Sequence, residues 1–163
     1  MLHGFLQNLD VWTPYTLKYM RKMRVVTIDL PGHGYSQTYG DCHTMEFMAK
    51  TVRAVLDEIN VDQCVMVGHS MGGYVALAFA DMFPYHLRGL GLIHSHAFAD
   101  TPEKKLLRAE LCCQVMDNKP NFIVEFIPEL FSSVSRQKMA QDIKDLQDQC
   151  LETTAEGIVA ALN

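Results

Sequence analysis

Apolar positions along residues 1–97 alternate between two rhythms. Short runs of strand-like composition, Arg24-Val25-Val26-Thr27-Ile28, Cys64-Val65-Met66-Val67 and Gly89-Leu90-Gly91-Leu92-Ile93-His94, read as strands, the first buried on both faces. Helical patterns separate them. Val11 to Met23 reads as a helix whose larger residues include Trp12, Tyr15, Leu17 and Tyr19. Over residues 44–59, Met45, Met48, Val52, Val55, Leu56 and Ile59 recur at helical spacing, and Tyr74 to Ala80 is a third helical stretch. Thr44 is the expected N-cap of the middle helix, with Glu46 in its first turn where exposed N–H groups favour negative charge. This β-α-β-α-β alternation predicts a parallel sheet with right-handed crossovers. The texture changes at Ala97-Phe98-Ala99-Asp100-Thr101-Pro102, beyond which no strand-like run occurs. Residues 102 to about 162 read as helices that start at Thr101-Pro102-Glu103. Breaks are expected at Asn118-Lys119-Pro120, Pro128 and Ser132-Ser133, and Thr153-x-x-Glu156 reads as a capping box. The chain therefore divides into a sheet-bearing part, residues 1–100, and a helical part, residues 101–163, without internal repeats.

Composition narrows the class. The 163 residues are one domain's worth of chain, and 48% hydrophobic content supplies a core. A net charge of −5 without a basic cluster speaks against a nucleic-acid partner. Cys42, Cys64, Cys112, Cys113 and Cys150 are an odd number without C-x-x-C spacing. They predict reduced thiols in a cytoplasmic protein, not a disulfide framework or zinc site. The vicinal pair Cys112-Cys113 lies in a helical stretch, where neighbours point apart, and most methionines read as core fillers. No leader pattern is visible at the N-terminus, and no apolar run approaches the ~18 residues a bilayer span requires.

Three motifs carry the chemistry. Gly68-His69-Ser70-Met71-Gly72-Gly73 contains G-x-S-x-G between a strand-like run and a helix-like one. A serine on such a turn takes a strained conformation that lifts its hydroxyl above the sheet edge, and the flanking glycines let strand and helix close together. Upstream stand His3-Gly4-Phe5 and, after the first strand-like run, Asp29-Leu30-Pro31-Gly32-His33-Gly34-Tyr35-Ser36.

In this order and spacing, across roughly residues 2 to 97, the three motifs resemble the α/β-hydrolase superfamily in its branch of small serine hydrolases. The resemblance implies a partial α/β-hydrolase fold: a mostly parallel sheet with flanking helices, plus an α-helical cap over residues 101–163. It implies Ser70 as nucleophile and an oxyanion hole made by the N–H of Met71 and an amide at Phe5 or Leu6, Phe5 being the choice. His3 would shape the oxyanion loop, and His3, His69, His94 and His96 are candidates for the border of the substrate pocket, His69 also for a packing or hydrogen-bonding role beside the nucleophile. The D-x-x-G-x-G-x-S loop is structural in that family, so Asp29 and His33 are not expected in the triad. No metal or organic cofactor is implied. In the family the triad runs Ser…Asp/Glu…His, and the H-G-x turn follows the third strand. Here that turn stands at residue 3, and after Ser70 only one more strand is expected. The chain therefore reads as the middle of an enzyme, shortened at both ends, with the acid and base of the triad outside it.

The remaining residues keep more than one reading. His94-Ser95-His96 lies at the strand edge where open α/β sheets bind ligands, as pocket wall, as packing or as a metal pair lacking a third ligand. Asp100 is a candidate triad acid or simply the lead into the Thr101 cap. Leu106, Leu107, Leu111, Val115, Met116, Phe122, Phe126 and Phe131 are candidates for the inner surface of the helical cap, or for packing. The expected activity is hydrolysis of a small ester, thioester or related acyl compound, with C–C cleavage and acyl transfer left open. The alternative is a catalytically inactive fragment, or a binding or scaffold module. A small-molecule substrate, no nucleic acid and no membrane complete the expectation, and oligomeric state is left open.

Overall fold

The computed structural model describes residues 1–163. Helix α1 spans Thr13–Tyr19 and α2 Met45–Glu58; strand β1 is Cys64–His69, α3 Met71–Met82 and β2 Leu87–Ile93. Four helices follow: α4 Pro102–Glu129, α5 Ser133–Lys138, α6 Ala140–Cys150 and α7 Ala155–Leu162. β1 and β2 pair in parallel, with Val65 opposite Gly89 and His69 opposite Ile93.

The expected strand at Arg24–Ile28 does not form a ladder. A strand needs successive partners, and the only extended backbone beside this run is Met1–Leu2. Ile28 makes a single parallel bridge to Leu2, and the Met1 ammonium donates to Val26 O at 2.6 Å. On its other side Leu2 joins β1: its N–H donates to Val67 O at 2.8 Å and its carbonyl accepts from His69 N–H at 3.0 Å. The order across the sheet is thus 24–28, Leu2, β1, β2. The expected helix from Val11 to Met23 is also shorter. A 3-10 turn over Leu9–Trp12 leads into α1, which carries Pro14 in its first turn.

One face of this sheet is covered. Met48, Val52 and Leu56 of α2 and Val75, Ala76 and Phe79 of α3 bury against Leu2, Leu30 and Met66. Thr44 caps α2 as expected, accepting from Phe47 N–H. The other face is open, and Val65 in the middle of the sheet is 65% exposed.

Residues 102–162 contain helices and turns and no strand. Thr101 caps α4, and Asn118 (φ −154°, ψ 81°) breaks it where the Asn-Lys-Pro signal stands. Pro128 does not break it. The carbonyl of Val124, which a non-proline residue there would satisfy, instead accepts from Gln147 Nε2 at 2.9 Å. The cap of α7 is Thr154, one residue later than expected, accepting from Gly157 N–H. Thr153 is buried, and its carbonyl and that of Leu151 both accept from Lys119 Nζ at 2.8 Å. Most of the apolar positions proposed for the cap's inner surface go elsewhere. Val115 and Phe122 join Ile123, Ile127, Ile143 and Ile158 in a core among the helices themselves, while Leu106, Leu107 and Met116 are exposed. Packing crosses residue 100 in both directions: Leu6 belongs to the helical cluster and Ala161 to the sheet cluster.

Candidate functional site

Ser70 is the single residue between β1 and α3, with φ 50° and ψ −117°. A side-chain-bearing residue reaches this region only under strain of about 1–3 kcal/mol. Close packing enforces it. A Cβ on Gly68 would run into the Gly72 carbonyl, and one on Gly72 would stand 2.6 Å from the Leu2 carbonyl oxygen. Of the four non-glycine residues with positive φ, Asn60 ends α2, where asparagine is at ease. The other three, Leu6 (64°), Ser70 (50°) and His94 (46°), sit in the H-G-F loop and at the ends of β1 and β2.

The expected donors are unoccupied. Met71 begins α3, and its N–H has no acceptor in the protein; neither do the N–H groups of Phe5 and Leu6. A cleft of about 1600 Å³ opens at Ser70, bordered by His69 and His94, by Gln7, Trp12 and Tyr15, and by Leu130, Phe131 and Leu146 from the helical part. It continues along the open sheet face past Val65 and Val67. Among the eight expected cap residues, only Phe131 reaches it.

The histidines separate into groups. His69 directs Nδ1 at Gln7 Oε1 (2.9 Å), and burial, then His94, lowers its pKa. The exposed His94 ring is 6.2 Å from that of His69. His96 was expected in the pocket wall, but its Nε2 meets Tyr74 Oη at 3.2 Å and its Nδ1 accepts from Phe98 N–H, away from the cleft. His3 is fully buried instead of facing substrate. It accepts from Leu30 N–H at Nε2 (2.9 Å) and pairs Nδ1 with Gly4 O (2.8 Å), and burial pushes its pKa down to about 4. The His33 ring lies 5.2 Å from it, tilted by 53°, and its pKa is pushed down to about 3, chiefly by burial. Asp29 ties its loop, accepting from Leu9 N–H (2.7 Å) and Tyr35 N–H (3.0 Å), so Asp29 and His33 serve the turn. Asp100 accepts from Arg108 Nε at 2.5 Å, which holds its carboxyl below the usual range; it hydrogen-bonds no imidazole. None of the seven histidines hydrogen-bonds the Ser70 hydroxyl. No cluster of three His, Cys, Asp or Glu side chains is arranged to hold a metal ion.

Two residues of the site escaped the sequence reading. Ser95 donates from Oγ to the Ser70 carbonyl at 2.9 Å, and Gln7 joins its own turn to His69 at the end of β1. Ser95 lies between the two imidazoles of His94-Ser95-His96, and no pattern in the sequence marks Gln7.

Residues 1–118 match the family described as alpha/beta hydrolase fold. The chain belongs to that family. It superposes with a TM-score of 0.92 on a thermophilic esterase from Thermogutta terrifontis solved with malate, at 32% identity, covering 99% of this chain and 60% of that one. An enol-lactonase from Burkholderia xenovorans LB400 gives 0.88 at 20% identity over 99% of this chain and 62% of that one, a likeness of fold alone. In sequence, the chain is similar to the dihydrolipoyllysine-residue acetyltransferase component of the acetoin cleaving system of Pseudomonas putida. That match is 35% identical over 95 residues, 58% of this chain and 26% of the relative. This hydrolase-family chain thus spans about 60% of those solved relatives and about a quarter of that curated one. No helix is long and apolar enough to cross a membrane.

Proposed function

We propose that this chain carries the nucleophile and oxyanion hole of a serine hydrolase acting on a small ester or related acyl compound. The observation that carries the reading is the strained Ser70 turn beside three N–H groups, of Met71, Phe5 and Leu6, that have no acceptor. Ser70 Oγ attacks the acyl carbon while its proton passes to a base, and the carbonyl oxygen becomes an oxyanion held by the Met71 and Phe5 amides. Collapse expels the alcohol with a proton from that base. Water then releases the acid and regenerates Ser70. Leu130, Phe131, Leu146 and Val11 give the cleft an apolar wall suited to an acyl chain. A serine at this position speaks for acyl chemistry, and not for the aspartate-based dehalogenase and epoxide-hydrolase routes. The five free cysteines suit a cytoplasmic setting.

The unbonded Ser70 hydroxyl favours a second reading, an inert fragment or a binding module built on the same fold. Nucleophile and base act as a unit, and without the base only the residual contribution of the oxyanion hole and binding remains, about 10³–10⁴ over water. Hydrolysis of p-nitrophenyl esters of graded chain length separates the readings. The hydrolase reading expects little turnover from the 163-residue chain, all of it lost in Ser70→Ala. Equal rates for the two proteins would favour the inert module.

A further inference from the structure

The turn Gly4-Phe5-Leu6-Gln7 is closed twice. The Gln7 N–H donates to the Gly4 carbonyl at 3.2 Å, and the Gly4 N–H donates back to Gln7 Oε1 at 3.0 Å. Between them lie Phe5 and Leu6, with free N–H groups and with Leu6 at φ 64°. A strained backbone of this kind persists only where its surroundings over-determine it. The same Gln7 oxygen lies 2.9 Å from Nδ1 of His69, the residue before Ser70. We propose that Gln7 is a positioning residue, whose carboxamide oxygen latches the H-G-F loop to the Ser70 turn and holds His69 as a single tautomer.

The hydrogen-bond chemistry permits one arrangement. The Gly4 N–H is a donor without alternative, so the Gln7 atom facing it is oxygen and not NH₂. That oxygen only accepts, so His69 Nδ1 carries the proton and Nε2 keeps its lone pair. Protonating His69 adds a proton at Nε2 and leaves the Nδ1–H bond in place. The titratable groups beside His69 are His94, 6.2 Å away between ring centroids, and His3, the neighbour of Gly4. Gly4 completes the fit, since a Cβ there would stand 2.8 Å from His69 Nδ1 and 2.9 Å from Gln7 Oε1. The catalytic meaning of the latch, a fixed distance between the Phe5 and Met71 amides, rests on the serine-hydrolase reading; the latch itself does not.

Long-range ¹⁵N NMR of the 163-residue chain, with amide exchange at Gly4, tests it without requiring Ser70 to react. Wild type is expected to show His69 protonated at Nδ1 alone when neutral. Gln7→Leu is expected to give a mixture of tautomers and about tenfold faster exchange of the Gly4 N–H. Gln7→Glu keeps both acceptor contacts, so it should restore the single tautomer and Gly4 protection, and raise the His69 titration midpoint through its charge. An Nε2-protonated His69 in wild type, or a Gln7→Leu protein with both signals unchanged, overturns the proposal. If Gln7→Leu loses its dispersed spectrum, Gln7→Glu decides: a raised midpoint supports the latch and an unmoved one refutes it.

Discussion

Ser95 and Ser70 are joined by a hydrogen bond of 2.9 Å in which the Ser95 hydroxyl donates to the Ser70 carbonyl. The same carbonyl accepts from Gly73 N–H at 2.9 Å, and Ser70 N–H donates to Ile93 O at 3.0 Å, so the turn is held from β2 as well as from α3. Ser95 can approach because Gly73 has no side chain; a Cβ there would meet Ser95 Cβ at 2.5 Å.

Ser95→Ala should lower stability by about 1 kcal/mol and slow covalent modification of Ser70 by about tenfold, since one of two bonds to a strained carbonyl is lost. Gly73→Ala displaces Ser95 and should act through the same bond. The double variant is therefore expected to be less damaging than the sum of the singles, a coupling measurable by urea melts and labelling rates. Additive effects would separate the two residues.

The buried imidazoles make stability fall in acid. His3 and His33 fold with pKa values of about 4 and about 3, against 6.5 unfolded, mainly because burial disfavours the charged ring. Below 6.5 the unfolded chain binds more protons, so the stability present above that pH declines as pH drops toward 4 and then 3. Near pH 5 each histidine should cost about 2 kcal/mol. Asp29 partly opposes this at His33, and His43 adds to it. Urea midpoints at pH 7.5 and 5 check the slope, and His33→Gln should flatten it. A midpoint indifferent to pH in wild type would contradict the account.

The fold was legible wherever local patterns and tertiary partners agreed. The Thr44 cap, the G-x-S-x-G turn and the break at Asn118-Lys119-Pro120 are short-range signals, and each appears where it was read. Arg24–Ile28 has strand composition, but a strand is a property of a pair, and Leu2 offers it one rung. Pro128 reads as a breaker because its replacement donor, Gln147, lies on another helix. The helical pattern of residues 102–162 marked apolar positions without saying which neighbour each would meet, so a pocket lining was expected where a core formed. Motif and strand-edge position point His3 and His96 toward the pocket, yet Leu30 and Tyr74 hold them elsewhere.

The central claim is the proposal that Ser70 and the N–H groups of Met71 and Phe5 act together on an acyl group, with no histidine hydrogen-bonded to the Ser70 hydroxyl. Intact-mass kinetics with a fluorophosphonate probe, with and without added imidazole, address it directly. The claim predicts slow modification at Ser70 alone, a rate that climbs as imidazole supplies a proton acceptor, and no adduct in Ser70→Ala. No adduct at Ser70 under either condition, or equal labelling of Ser70→Ala, would contradict it.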